Sequence, residues 1–393
     1  MGPFGSDIKK EFYTSHGVPV LNGSNLQGFK LGEDSFGYVT EEKANSLKKC
    51  IAKRGDIVVT HRGTLGQMVY IPDDSKFDRY LISQSQFRYR LKKSLARPDF
   101  VVYYFHTLEG QYKLLSNASQ VGVPALARAT TTFRQLEIPL PPLSVQNKIV
   151  TILSSLDARI ENNNKINANL EAQAQALFKS WFVDFEPFQD GEFQDSELGR
   201  IPKGWKVYSL EEIAFFDKNS INPGKTPEKL FSHYSLPAFD EKKLPEKQFG
   251  KEILSNKFSI SNNTILLSKL NPRIKRIWYV EEVEENAICS TEFIPFKAKD
   301  NNLTAFLYCY LTSQLFYDNA LGMVNGATGS HQRFDVKYLL TFKFAASEES
   351  MLKFSSAMKP LLSQIFENIQ ETKSLSTLRD TLLPKLMSGE IEV

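Results

Sequence analysis

The sequence runs to 393 residues, 41% hydrophobic and 24% charged, the balance of an ordinary globular chain with room for two or three cores. No apolar run approaches the roughly 18 residues of a membrane span, and no apolar core opens the N-terminus. Three singly placed cysteines (Cys50, Cys289, Cys309) and five dispersed histidines exclude a disulfide framework and paired metal-ligand spacing, and fit a reducing cytosol.

The net charge of +3 divides into +6 over residues 1–143, −4 over 144–196, +2 over 197–341 and −1 over 342–393. Contact with a polyanion therefore belongs to the first and third stretches. Along the first, Arg54-Gly-Asp-Ile-Val-Val-Thr60 followed by Met68-Val-Tyr-Ile71 predicts a strand pair, and Ile82-Ser-Gln-Ser-Gln-Phe87 comes next. Residues 100–107, apolar and aromatic, predict a helix. Residues 116–132 predict a small-residue loop that ends at Phe133 and leads into a strand. Pro139, Pro141 and Pro142 stop that strand ahead of Ser144, an N-cap for a helix running to about Phe182. The helix carries an unbroken heptad stripe: Ile149, Leu153, Leu156, Ile160, Asn163, Asn167, Leu170, Ala174, Leu177 and Trp181.

After Leu198-Gly-Arg-Ile-Pro-Lys-Gly-Trp205 and residues 210–214, the same series returns. Asn262-Asn-Thr-Ile-Leu-Leu-Ser268 with Ile277-Trp-Tyr-Val280 repeats the strand pair, and Ile288-Cys-Ser-Thr-Glu-Phe293 repeats the segment after it. Residues 303–312 predict the matching helix, and residues 322–332 the matching loop, ending at Phe334. The second stripe lies 205 residues after the first: Phe354, Met358, Leu361, Ile365, Asn368, Thr372, Leu375, Arg379, Leu382 and Leu386. Pro360 and Pro384 inside it should kink or shorten that helix.

Two long apolar stripes, each too narrow for a globular core, can bury themselves on one another as a coiled coil. Antiparallel pairing sets Asn163 against Thr372 and Asn167 against Asn368, but parallel pairing also aligns these polar layers. Chain economy selects antiparallel. The second globular half follows the end of the first helix and directly precedes the second, so the second must run back. The expected fold is α+β: two related globular domains, residues 1–141 and 185–341, separated by long helices at 142–184 and 342–393 that pair as an antiparallel coiled coil about a pseudo-twofold axis.

These residues resemble the specificity (S) subunits of Type I restriction–modification systems. The resembling stretches include Gly2-Pro-Phe-Gly-Ser-Asp-Ile8, Gly17-Val-Pro-Val-Leu21, Gly55-Asp-Ile-Val-Val59, Arg62-Gly-Thr-Leu-Gly66 and Ile138-Pro-Leu-Pro-Pro-Leu-Ser-Val-Gln146. Leu177-Phe-Lys-Ser-Trp-Phe182, Leu198 to Trp205 and Leu383-Pro-Lys-Leu386 continue the series in family order. The resemblance implies two target-recognition domains, each reading one half of a bipartite site in double-stranded DNA. It also implies helices that set the spacing and dock two methyltransferase subunits, with restriction/translocase subunits joining them in a bacterial or archaeal cytoplasm. No cofactor is expected in this chain; S-adenosylmethionine, ATP and Mg²⁺ are expected on the partners. Resembling members usually begin with a segment like residues 198–214, and nothing equivalent stands before Gly2.

Base readout requires donors and acceptors that reach base edges, and the loops supply them. In the first half these are His61, Arg62, Thr64 and Gln67 in the strand-pair turn, and Gln120, Arg128, Thr130 and Thr131 in the following loop. In the second half they are Lys269, Asn271, Arg273, Lys275 and Arg276 in the turn, and Asn325, Thr328, Ser330, His331, Gln332 and Arg333 in the loop. No catalytic constellation accompanies them. Asn271-Pro-Arg-Ile is not a methyltransferase Asn/Asp-Pro-Pro-aromatic motif, no G-x-x-x-x-G-K-[ST] occurs, and Asp240-Glu-Lys-Lys243 reads as a solvated loop between Pro237 and Pro245. The alternative to a DNA reader is a coiled-coil scaffold whose end domains bind protein; a stand-alone nuclease is a third reading.

Overall fold

The computed structural model describes residues 1–119, 122–322, 324–325 and 332–393. They form two compact units, Met1–Arg159 with Leu375–Val393, and Ile160–Ser374.

In the first unit the strand Asp56–Thr60 pairs antiparallel with Met68–Tyr70 on one side and Gln86–Arg90 on the other. It is buried at every position, which explains its continuous apolar run. Alternation is still present, since Val58 faces one hydrophobic cluster while Ile57 and Val59 face another. The Val58 side belongs to a four-stranded sheet in the order Gly37–Val39, Val18–Leu21, Arg79–Ile82, Ile51–Lys53. The other side receives the helix Pro98–Phe105, with Phe100 through Phe105 all buried. Thr107 then caps the helix Leu108–Leu115, its Oγ1 accepting from the Gly110 backbone N–H at 3.0 Å.

The second unit repeats this plan. Thr264–Ser268 pairs with Ile277–Val280 and Phe293–Ala298, and its Ile265 and Leu267 face one cluster while Leu266 faces another. The helix Thr304–Thr312 is buried from Thr304 through Leu311, and Ser313 caps Gln314–Leu321 as Thr107 caps its counterpart.

Three differences from the sequence expectation stand out. Residues 116–132 do not form a plain loop: a short strand pair, Ala118–Ser119 with Ala125–Leu126, precedes the helix Ala129–Arg134. No strand follows Phe133. In the second unit the corresponding strand, Lys343–Ala346, exists because Lys206–Ser209 pairs with it, whereas residues 136–140 have no such partner. Residues 240–243 are not a solvated loop. Ser235 caps the helix Leu236–Lys242, and Asp240 accepts from Nε and Nη2 of Arg276. This helix accompanies a five-stranded sheet in the order Asn219–Ile221, Lys257–Ser259, Ala287–Ser290, Leu230–Tyr234, Glu246–Phe249.

The long helices are Leu143–Phe182 (40 residues) and Glu348–Ser388 (41 residues), each about 60 Å at 1.5 Å per residue. In the first unit Ile149 and Leu153 share a cluster with Leu383 and Leu386, and the Asp157 Oδ1 accepts from Arg379 Nη1 at 2.8 Å. In the second unit the Asn163 Nδ2 donates to Glu371 Oε2 at 2.8 Å and to Thr372 Oγ1 at 3.5 Å, and Asn368 Nδ2 donates to Asn167 Oδ1 at 2.7 Å. Further along, Phe178 and Phe182 meet Phe354. One numbering rises while the other falls, so the pairing within each unit is antiparallel. Met358 and Ile365 are buried in the seam, while Leu156, Ile160, Leu170, Leu361, Thr372, Leu375 and Leu382 are half-buried.

The stripe is corrected at Leu177, which is 40% exposed, while Phe178 is 1% and Phe182 3% exposed. From Ala174 onward the helix packs against a globular core as well as its partner. The buried positions then follow steps of four (174, 178, 182) instead of the heptad's alternation. Likewise Leu362 is more deeply buried than Leu361. Pro360 and Pro384 do not end the second helix. Both are exposed, as are Ser356 and Asp380, whose carbonyls each proline leaves without a helical N–H, so water can satisfy them.

Residues 281–285 fasten the second long helix to the second unit. Ser363 Oγ donates to Glu281 at 2.7 Å, and Lys373 Nζ reaches Glu284 at 2.9 Å. Burial alone would raise the Glu284 carboxyl, but hydrogen bonds from Lys247 and Lys373 prevail and hold it down to about 2 from 4.5. A carboxyl depressed on folding contributes stability above its unfolded value and loses it as pH falls through the folded one. Between pH 4.5 and about 2, the urea midpoint of the natural chain should therefore fall further than that of Glu284→Gln. Phe178→Ala should cost about 3–5 kcal/mol of stability in urea titration, and Leu177→Ala under about 1 kcal/mol.

Candidate nucleic-acid interface

The two loop groups singled out in each half come together by backbone hydrogen bonding. In the first unit the Gly63 N–H donates to Pro124 O at 2.8 Å, and the Leu126 N–H donates to His61 O at 2.9 Å. Arg62 and Ala125 form the bridge between them. In the second unit the Asn271 N–H donates to Gln332 O at 2.9 Å, and the Phe334 N–H to Lys269 O at 3.1 Å. Leu270 and Arg333 form that bridge. Each unit thus presents one surface made of a strand-pair turn stitched to a later loop.

Glycine is required at the first turn. Gly66 has φ +89°, and a Cβ there would lie 2.4 Å from Gln111 Oε1. Gln111 Nε2 in turn donates to Gly66 O at 3.1 Å, so the neighbouring helix holds the turn in place. In the second turn Asn271 takes the left-handed conformation, φ 51°, and accepts from the Ile274 N–H at 2.9 Å.

The candidate side chains divide by what already holds them. Arg62, Thr64, Arg128, Thr131 and Arg273 are exposed, and none of their side chains makes a hydrogen bond or ion pair within the described residues. Arg128 itself has φ 47° and heads the helix Ala129–Arg134, with Thr130 and Thr131 in its first turn. Gln67 is committed inward: its Oε1 accepts from Thr60 Oγ1 and its Nε2 donates to Gly23 O. His61 contacts Gln84 O through Nε2 at 3.2 Å, and burial lowers its pKa, so it is a neutral hydrogen-bonding group and not a phosphate counter-charge. Lys275 donates to Gln314 and lies 4.6 Å over the Tyr317 ring. Arg276 is held at 2.7 and 2.8 Å by Asp240, and Arg333 at 3.2 and 3.3 Å by Glu292. Lys269 and Gln332 are half-buried at the stitch. Asn325 pairs through its backbone with Arg333. Gln120, Thr328, Ser330 and His331 lie outside the described residues.

Lys218, whose Nζ lies 4.7 Å over the Phe216 ring, comes near Lys269 without a signal in the sequence. Burial lowers its pKa, and the charge of Lys269 lowers it further. The repulsion between two neighbouring cations would be relieved by a polyanion. Lys218 follows the strand Ala214–Phe216 and is separated from Lys269 by about fifty residues, so only the fold reveals the pair.

Residues 5–172 match the family model described as the Type I restriction modification DNA specificity domain. The chain is 29% identical over 406 residues to the Type I restriction enzyme MjaIX specificity subunit of Methanocaldococcus jannaschii, covering 97% of this chain and 88% of the relative. It is 22% identical over 420 residues to the HindI specificity subunit of Haemophilus influenzae, covering 88% of each. The crystal structure of the Type I restriction–modification S subunit from M. genitalium superposes with a TM-score of 0.56 at 19% identity, covering 96% of this chain and 91% of that one. The duplicated α+β architecture with long helices is therefore shared with a solved S subunit. The chain is thus similar over most of its length to specificity subunits of Type I restriction–modification systems, a family whose general role is DNA sequence recognition and whose members are non-catalytic.

The geometry separates a structural arginine from an available one. Arg276→Ala should lower stability by about 1.5–3 kcal/mol, because it removes charged hydrogen bonds to Asp240. Arg273→Ala should change it by less than about 0.5 kcal/mol, both read by urea unfolding.

Proposed function

We propose that the chain reads a bipartite site in double-stranded DNA, one half with each stitched turn-and-loop surface, and that the long helices set the spacing between the halves. The observation that supports this most is the repetition of that surface: both units join the turn after their central strand to the loop before their long helix, by equivalent backbone bonds. Phosphate contacts fix the protein on the duplex, and side chains at the base edges supply sequence information. Arg62, Arg128 and Arg273 have uncommitted guanidinium groups suited to guanine O6 and N7, and Gln332 and Asn271 are of the type that suits adenine. Arg333, oriented by Glu292 along one edge, keeps its other N–H groups for a ligand.

In this reading the recognition domains span residues 1–141 and 185–341, and the helices at 142–184 and 342–393 dock two methyltransferase subunits. Restriction/translocase subunits complete the assembly, which works in the cytoplasm. S-adenosylmethionine, ATP and Mg²⁺ belong to those partners. Among the described residues no helix is long and apolar enough to cross a membrane.

Arg128→Ala and Arg273→Ala should each weaken binding by about 1–3 kcal/mol when one half-site is cognate, and by far less when that half is scrambled. Equal losses on every sequence would make them phosphate binders. Binding should fall steeply with added salt; salt-independent binding would favour a protein-binding scaffold. Seven residues inserted in both helices, after Asn164 and after Gln370, keep the heptad and add about 10.5 Å. The preferred spacer should then lengthen by about three base pairs, and an unchanged spacer would refute the ruler.

A further inference from the structure

Arg379 follows the first recognition turn by more than 300 residues yet packs in the same unit. Its Nη1 donates to Asp157 Oδ1 at 2.8 Å, and Asp157 Oδ2 accepts from the Tyr103 hydroxyl at 2.5 Å. Its Nε and Nη2 donate to Asp380 Oδ1 at 2.9 and 2.8 Å, which fixes the plane of the guanidinium. That plane lies 4.8 Å from the Phe29 ring centroid.

Phe29 passes the contact onward. Its ring lies 4.7 Å from Tyr103 and 4.5 Å from His106, and its carbonyl accepts from the Tyr70 N–H at 3.1 Å. The His106 Nε2–H donates to Met68 O at 2.8 Å. Burial lowers the His106 pKa and the charge of Arg379 lowers it further, which keeps the ring neutral with one N–H for that carbonyl. Met68 directly follows Gln67 and opens the strand Met68–Tyr70 that leaves the turn. An unbroken path of contacts therefore runs from the second long helix to the strand that carries one end of the first recognition turn.

Among the described residues the second half has no arginine–aspartate pair between its long helices. At the 205-residue offset of the long helices Asp157 becomes Leu362 and Arg379 becomes Ala174, while the matching caps Thr107 and Ser313 set His106 against Thr312 and Tyr103 against Cys309. Leu362 and Ala174 are 3% and 1% exposed, so these positions serve as apolar packing there, and Thr312 instead accepts from Gln175 Nε2 at 2.6 Å. The Arg379–Asp157 pair is half-buried, so its contribution lies less in stability than in holding its neighbours in one arrangement.

We propose that Arg379 is a positioning residue for DNA reading by the first half, acting through Asp157, Phe29 and His106 on the strand that leaves the recognition turn. This rests on the DNA reading above. The test uses the full chain with Arg379→Ala and Arg379→Lys, comparing amide hydrogen exchange at residues 61–70 and 268–277. It also measures discrimination against duplexes with either half of the methylated site scrambled. Arg379→Ala should speed exchange at 61–70 about tenfold without altering 268–277. It should also cut discrimination at the first half-site about tenfold and leave the second intact. Arg379→Lys, which keeps the charge without the planar stack, should fall between. Where Arg379→Ala does not fold, Phe29→Leu leaves the ion pair in place and carries the same expectation. Unchanged exchange at 61–70, or equal acceleration of both turns, overturns the proposal even if the natural chain binds DNA selectively. Coupled exchange without sequence-selective binding by the natural chain would instead sink the DNA reading, and the proposal with it.

Discussion

Everything else in this chain depends on the mutual burial of two apolar stripes. Neither long helix could persist alone in water, because an isolated helix gains too little from its own hydrogen bonds to offset the ordering of 40 residues. Each stripe finds its cover on the other, with Leu153 at 0% and Phe354 at 1% exposure. The interruptions at Asn163, Asn167, Asn368 and Thr372 weaken the seam but make its register specific. The Asn368–Asn167 bond and the contacts of Asn163 with Glu371 and Thr372 are lost if either helix slides by a turn.

The globular units follow from a second constraint, a central strand that serves two cores at once. Asp56–Thr60 and Thr264–Ser268 both send alternate side chains to opposite clusters, which fixes their register against a one-residue slip. With that strand pinned, the turn at its end is pinned too, and the later loop needs only two backbone bonds to join it. Side chains on such a surface can vary without disturbing the core beneath. This suits a family that recognises DNA sequence with one architecture.

Much of this was legible in the residues. The heptad steps, the facing asparagine layers, the buried aromatic helices and the duplication all follow from spacing and composition. What escaped was set by distant partners. Leu177 continues the heptad, but Phe178 is buried because a globular core, absent from any local window, lies against that side of the helix. The strand after Phe133 fails because a strand is a property of a pair. Arg276 and Asp240 are 36 residues apart, so nothing near Arg276 marks it as already held. The candidate site was legible as a location more than as a set of contacts. The two turns lie between the paired strands, but residues 116–132 hold a strand pair and a helix, Gln67, Arg276 and Arg333 have internal partners, and Lys218 was invisible until the fold brought Lys269 near it.

The two halves are copies in topology and not in chemistry. One turn carries a strained arginine at its following loop and a polar path to the long helices; the other carries paired cations and a carboxylate-held arginine. Such divergence suits the proposed reading of two different half-sites. The most direct measurement is to map methylated bases across the genome of cells that express this chain with its methyltransferase partner. A two-part motif with a fixed, sequence-indifferent gap is the expected result. A single continuous motif, or methylation without a motif, would contradict the proposed bipartite reading.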